Sequence, residues 1–204
     1  MKIFVINLES RKDRLESIAS SINDYEWHRF EAVNGHKLTQ KDFEAEGFKP
    51  CEQWRDPLLK RQLTLTEIAC SVSHFKLWEE CVKLDEPIII LEDDAYKVRP
   101  YNLYEVEKLL EVYDIVYLDH REMVPEMSKE IDSELIKPYY PYLNHAYAIS
   151  PQFAARIVDS GFKENIIPVD EFFPCVLGVD YHNHSISHIS NELLDNLQRK
   201  FSRA

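Results

Sequence analysis

Apolar runs of strand length alternate along this chain with stretches whose hydrophobic residues recur at helical spacing. Residues 2–8, KIFVINL, read as a short strand. Leu15, Ile18, Ala19 and Ile22 then give the next segment one apolar helical face, with Ser10 as N-cap and Asp13 in the first turn. Residues 27–33 alternate as a second strand and close on an Asn34-Gly35 turn. From 39 to 63 the pattern is mixed and loop-like apart from a short helix near 40–46. The clearest helical signal is 64–84: Thr64 and Glu67 stand at capping-box spacing, and Ile68, Val72, Phe75, Trp78 and Val82 form the apolar face.

Residues 87–91, PIIIL, lack polar alternation, the pattern of a strand covered on both faces in the middle of a parallel sheet. A helix over 103–112 leads to a further apolar run at 114–118, which ends in Asp119. Residues 121–137 have no period and read as a mobile segment. A strand at 145–149 meets Ser150-Pro151, an N-cap with proline at the first helical position. Residues 191–203 put Leu193, Leu194, Leu197 and Phe201 on one helical face. The alternation predicts an α/β fold, a single domain with a mainly parallel central sheet flanked by helices. No repeat or linker divides it; 1–119 make one half, 120–190 the other, and 191–204 a C-terminal helix.

Composition narrows the functional classes. A hydrophobic content of 45% supplies a core, while 24 Lys and Arg against 36 Asp and Glu leave a net charge of -12. Nucleic acid would meet a repulsive average field and is a poor partner. Cys51, Cys70, Cys81 and Cys175 have no C-x-x-C spacing and read as reduced thiols of a cytoplasmic protein. No apolar run approaches the roughly 20 residues of a transmembrane segment, so any membrane association is peripheral. The four glycines form neither G-x-G-x-x-G nor a P-loop. A diphosphate bound here would need a metal or arginines in place of a backbone cradle.

Glu92, Asp93 and Asp94 follow the buried strand without a spacer, at the carboxyl end where ligands of open α/β sheets gather. Adjacent carboxylates repel by about 1 kcal/mol per pair at high dielectric, which raises their pKa values unless a cation offsets it. Mg²⁺ or Mn²⁺ takes one or two carboxylates plus substrate phosphates, and the alternative is a solvated acidic turn. Asn7, Leu8, Arg11 and Arg14 occupy the same sheet edge. Arginine binds phosphate bidentately or stacks on a base, with Arg11 preferred and Arg14 divided between that role and surface ion pairs. His74 sits roughly 40° from Trp78 on the helical wheel, a core histidine by its position alone. Tyr139, Tyr140 and Tyr142, with Asn144 and His145, make either a platform for a sugar or ordinary packing.

Seven blocks, VINLESRKDRLE, FEAVNG, TLTEIACSVSHFKLWEECV, PIIILEDDA, YDIVYL, AYAISPQFAARIV and PVDEFF, run in order from Val5 to Phe173. As an ordered set they resemble glycosyltransferase family 25, which includes bacterial lipopolysaccharide sugar transferases and collagen galactosyltransferases. The resemblance implies a GT-A-like fold, a nucleotide-sugar donor that is usually UDP-linked, and transfer with inversion.

By that resemblance the acidic triplet takes the place of a D-x-D motif. Asp94 would bind the metal, and Glu92 would reach the ribose or the metal. Asp93 stays among the donor-side residues although a period of two turns it toward the scaffold. Ser73-His74 matches the family's Ser-His pair and joins Asn7, Leu8, Arg11 and Arg14 on the donor side. One of His182, His184 and His188, with His188 the choice, would complete the metal shell. Asp170, in the family's PVD block, or its neighbour Glu171 would accept the acceptor hydroxyl proton, with a helix N-cap as the alternative role. At a helix start Asp170 is expected to be held ionised and less basic.

The reading is a hexosyltransferase, galactose or glucose, using Mn²⁺ or Mg²⁺ and a UDP-sugar. Its acceptor would be a glycan, a lipid-linked glycan or another hydroxyl. The rivals are a nucleotide-sugar or glycan-binding module without turnover and a metal-dependent phosphoesterase.

Overall fold

The protein is represented by a computed structural model that describes residues 1–56, 58–95, 102–133 and 135–176. His182, His184, His188 and the helix expected at 191–203 lie outside the described residues. In chain order the strands are β1 (Lys2–Asn7), β2 (Trp27–Glu31), β3 (Ile88–Glu92), β4 (Ile115–Glu122), β5 (Lys129–Glu130), β6 (Ile136–Lys137) and β7 (Pro141–Ile149). The helices are α1 (Lys12–Ser21), α2 (Gln40–Ala45), α3 (Leu65–Leu84), α4 (Leu103–Leu110), α5 (Pro151–Val158) and α6 (Val169–Val176).

Five strands form one sheet in the order β2-β1-β3-β7-β4. β1 runs parallel to β2 and β3, and β7 lies antiparallel to both β3 and β4. β4 therefore shares the direction of β3, and only β7 opposes the rest. The sheet is mainly parallel and mixed, as an α/β chain with helices between its early strands should be.

β3 separates two cores. Ile88 and Ile90 face one, against Phe75 and Trp78 of α3, Phe153 of α5 and Phe172 of α6. Ile89 and Leu91 face the other, against Ile18 of α1 and Val106 and Leu110 of α4. All four are fully buried, each contributing about 1.5–3 kcal/mol of apolar burial. The polar residues that follow are thereby fixed at a rigid sheet edge.

The capping box is present at α3, where Thr64 and Glu67 satisfy each other's backbone N–H groups. Ser150 caps α5 by accepting from the Phe153 N–H. Other expectations are corrected. Ser10 does not cap α1; Arg11 holds the N-cap position without a side-chain bond, because the chain first makes a turn through Glu9 and Ser10. Val82 is exposed at 38% rather than on the buried face of α3.

Residues 121–137, read as mobile, hold the end of β4, a 3₁₀ turn at Pro125–Met127 and the β5–β6 ribbon. Glu122 organises this segment. Its carboxylate accepts from the Val124, Tyr139 and Tyr140 N–H groups and from Ser128 Oγ–H. Burial pushes the Glu122 carboxyl up, but these donors outweigh it and hold the group below its ordinary value.

Candidate active site

β1 and β3 end side by side, and their last residues meet. Asn7 is buried; its amide donates to Asp93 Oδ2 at 2.8 Å and to the Arg11 carbonyl at 3.0 Å, and its Oδ1 accepts from Arg29 Nε at 3.0 Å. Asn7 is thus a strut between the first loop and the acidic turn, with its polar atoms engaged, rather than a group directed at a ligand.

Arg14, one turn into α1, bridges two acids through Nη1, 3.0 Å from Asp93 Oδ1 and 3.2 Å from Asp94 Oδ2. Arg11 instead forks onto exposed Asp13 through Nε and Nη2. Of the two roles left open for Arg14, the structure shows the ion pair, made to the acidic turn instead of to neighbours on α1, while Arg11 pairs only locally among the described residues. Strand geometry ends at Glu92, with Asp93 and Asp94 in a turn, so a period of two does not carry past it. Asp93 accordingly faces Arg14 together with Asp94.

Glu92 lies over His74, whose Nε2 is 3.0 Å from Glu92 Oε1; the other ring nitrogen meets the Tyr147 hydroxyl at 2.9 Å. His74 is fully buried, so it supports Glu92 from beneath and presents no edge to a ligand. Burial pushes the Glu92 carboxyl up, but the hydrogen bond from His74, with that from Cys70, holds it below the ordinary carboxylate range. Asp94 goes the other way: burial and the charges of Glu92 and Asp93 raise it against the opposing pull of Arg14.

A cleft of about 270 Å³ opens over this edge. That is close to the lower end, roughly 300 Å³, of small-molecule sites. Its apolar wall is Ile6, Leu8, Ala32 and Val33, and its polar side is Arg11, Arg14, Glu92 and Asp93. Ser73 also lines it, but its hydroxyl accepts from the Val33 N–H and donates to the Ala69 carbonyl, which pins the loop after β2 to α3. Gly35 completes that pinning. A Cβ there would stand 2.4 Å from the Leu65 carbonyl oxygen, so only glycine lets the loop lie on the start of α3. This close approach was not legible in the Asn34-Gly35 pair, which reads as an ordinary turn.

A second acid pair opens α6. The Asp170 carboxylate accepts from the Asn144 N–H at 2.8 Å, and the Asn144 amide donates to the Val169 carbonyl at 2.8 Å. The sheet is deformed to allow this: the β4–β7 register slips on either side of Asp119, and Leu143 takes a left-handed φ of 68°. Burial raises Asp170 above its ordinary value, assisted by Glu92 and opposed by the Asn144 bond, His74 and His145. The expectation of a less basic carboxylate at a helix start is therefore reversed, because burial is the largest influence on this group. Glu171 is buried and receives the Trp54 indole N–H at 2.8 Å. Burial raises it to about 7.

Tyr117 Oη and Asn144 Oδ1 are buried without a hydrogen-bond partner among the described residues. Both belong to the surroundings of Asp170, whose charge also raises the Tyr117 phenol after burial itself. Of the tyrosines read as a sugar platform, Tyr140 is buried and packs edge-on to half-buried Tyr142. His145 pairs with Asp119 at 2.9 Å.

Cys70 Sγ, His74 Nε2 and a Glu92 oxygen lie within 4.8 Å of one another, a grouping capable in principle of holding a soft metal. The hydrogen bonds disfavour it. Cys70 is exposed as a residue, but the protein packed around its thiol desolvates it, and this with the Glu92 and Asp170 charges raises it well above its usual value, so the thiolate a metal would need is costly.

Comparison with known proteins agrees with this architecture. Residues 1–173 match the model of "Glycosyltransferase family 25 (LPS biosynthesis protein)", and the chain belongs to that family. It is 30% identical over 198 residues to "Procollagen galactosyltransferase 2" of Mus musculus, covering 91% of this chain and 31% of the relative. Over 213 residues it is 30% identical to "Procollagen galactosyltransferase 1" of Danio rerio, covering 98% and 35%. A "Glycosyltransferase 25 family member" of Anopheles gambiae is 27% identical over 202 residues, covering 94% and 34%. The chain spans about a third of the length of these curated relatives. No helix among the described residues is long and apolar enough to cross a membrane.

Proposed function

We propose that this chain transfers a hexose, galactose before glucose, with inversion from a UDP-sugar to a hydroxyl of a glycan or lipid-linked glycan, assisted by Mn²⁺ or Mg²⁺. The observation that carries the reading is the unequal neutralisation of the acidic turn. Arg14 and Asn7 hold Asp93 and His74 holds Glu92, while Asp94 has only a share of Arg14 among the described residues, keeps half its side chain exposed and has a raised pKa. A carboxylate left in that condition beside a cleft is suited to one more cation, and the all-oxygen donor set of Asp94 and Glu92 fits a hard divalent ion. When bound, such an ion would offset the charge that develops on a departing diphosphate.

The residues of the chain supply the rest. The apolar wall of Leu8, Ala32 and Val33 suits the face of a base, and Arg11 stands at the same cleft with its guanidinium available to exchange Asp13 for phosphate. Asp170 is the proton acceptor in this reading. Its raised pKa gives it basicity and its Asn144 bond orients it. Glu171, tied to Trp54 in the core, supports α6 instead. Residues 1–119 then make the donor half, and the strands and helices after them the acceptor half.

The similarity to galactosyltransferases of the family supports galactose as the first donor to try. UDP release from UDP-galactose, with and without glycan acceptors and Mn²⁺, tests the reading. Acceptor-stimulated, metal-dependent release is expected; absence of release from both UDP-galactose and UDP-glucose in all conditions contradicts it.

A further inference from the structure

Beneath the acidic turn lies a chain of buried side chains whose hydrogen bonds run one way. The Trp78 indole N–H, a donor only, reaches the Tyr147 hydroxyl at 2.8 Å. Tyr147 Oη has one other partner among the described residues, His74 Nδ1 at 2.9 Å. Because the hydroxyl oxygen already accepts from Trp78, its single proton is satisfied only by pointing at Nδ1. Nδ1 is then an acceptor, the imidazole proton resides on Nε2, and that N–H donates to Glu92 Oε1 at 3.0 Å. In the opposite tautomer, and in imidazolium, the Tyr147 proton would be left buried and unpaired, at a cost of about 1–3 kcal/mol.

We infer that Trp78 and Tyr147 are positioning residues: through His74 they fix the imidazole tautomer that anchors one oxygen of Glu92 and so set the direction of the carboxylate at the donor cleft. The surroundings are rigid enough to transmit this. Tyr147 is fully buried, stacks on the His74 ring at 5.8 Å and meets Phe173 edge-on at 5.2 Å. His74 and Trp78 lie one turn apart on α3, and Tyr147 enters from β7, so the relay also ties the antiparallel strand to the site. The orienting role rests on the donor-site reading above; the tautomer does not.

The test is ¹⁵N NMR of histidine-labelled full-length protein, with His74 assigned by its loss in His74→Gln. The wild-type protein is expected to give a protonated Nε2 and an unprotonated, hydrogen-bonded Nδ1. In Tyr147→Phe, which keeps the ring packing, the Nδ1 resonance should move and the affinity for UDP with Mn²⁺ should fall about tenfold, as for loss of one oriented hydrogen bond. His74→Gln, whose amide can accept from Tyr147 and donate to Glu92, should recover most of the affinity that His74→Asn loses. A wild-type Nδ1–H tautomer or an imidazolium overturns the inference, and that reading needs no variant to fold. An unchanged UDP affinity in Tyr147→Phe also overturns it. A wild-type protein with the Nε2–H tautomer that binds no UDP supports the relay and refutes the donor reading instead.

Discussion

The two acid groups of this protein are handled in opposite ways. At the end of β3, Asp93 and Asp94 share the charged Arg14, and Glu92 receives the His74 N–H and is held below its ordinary pKa. At the start of α6, Asp170 accepts from the Asn144 N–H and Glu171 from the Trp54 indole N–H, and burial raises both. The first arrangement gives its carboxylates a shared cation and a histidine N–H and leaves only Asp94 raised; the second leaves burial to dominate, which makes its carboxyls reluctant to ionise and therefore basic. One group is suited to electrostatic work and the other to proton transfer, as an inverting sugar transfer requires.

The sharpest way to break that contrast is Asp170→Asn. Loss of a general base should lower transfer at least about 100-fold while leaving UDP affinity nearly unchanged. Transfer near the wild-type rate removes Asp170 from the chemistry, and a matching loss of UDP binding assigns it to the donor side. Initial rates and calorimetry on the same preparation separate these outcomes.

Glu171 offers the next largest effect, on stability. Its folded-state pKa of about 7 lies above the 4.5 of the free carboxyl. The folded protein therefore holds this proton across an interval in which the unfolded chain has released it. Sign follows from linkage: the contribution is fully present below the unfolded pKa, declines as pH rises through that interval and is gone above about 7. A shift of this size corresponds to at most about 3 kcal/mol. Glu171→Gln, which keeps an acceptor for Trp54, should flatten the decline in urea midpoint between pH 5 and 8. Asp170 and Asp94, also raised, leave a residual slope of the same sign. An unchanged slope would mean that Glu171 is not desolvated as described.

The arginines give the smallest effect and sharpen the other half of the contrast. Arg14→Met should cost about 0.5–1 kcal/mol after allowance for solvent screening, because Asp93 and Asp94 lose their shared cation. Arg11→Met should leave the melting temperature unchanged but weaken UDP binding. If both behave alike in stability and in binding, the division between a structural and a ligand-facing arginine fails.

Much of this fold is legible in local pattern. The α3 capping box, the unbroken apolar run of β3 and the Ser150-Pro151 start of α5 each depend on residues adjacent in sequence, and each forms as read. The antiparallel placement of β7 between β3 and β4 is not legible, because a strand's direction is set by its connection and not by its alternation. The site divides similarly. Leu8, Arg11, Arg14, Ser73, Glu92 and Asp93 do converge on one cleft, since β1, α1, α3 and β3 bring their ends to the same edge. Which arginine meets which acid depends on the turn through Glu9 and Ser10, a matter of one residue in helix start. The buried partners of the acids, Trp54 and Asn144, and Tyr147 behind His74, are distant in sequence from the groups they meet, and no local pattern announced those contacts.

The account rests on the acidic turn holding a metal with a diphosphate, and calorimetric titration of UDP tests this directly, with Mn²⁺ or with EDTA, in the wild-type protein and in Asp94→Asn. The prediction is binding in the wild type that Mn²⁺ strengthens at least about tenfold, a gain of about 1.4 kcal/mol, and that Asp94→Asn abolishes. UDP binding of equal strength in Mn²⁺ and EDTA, or a metal-dependent gain that survives in Asp94→Asn, would contradict it.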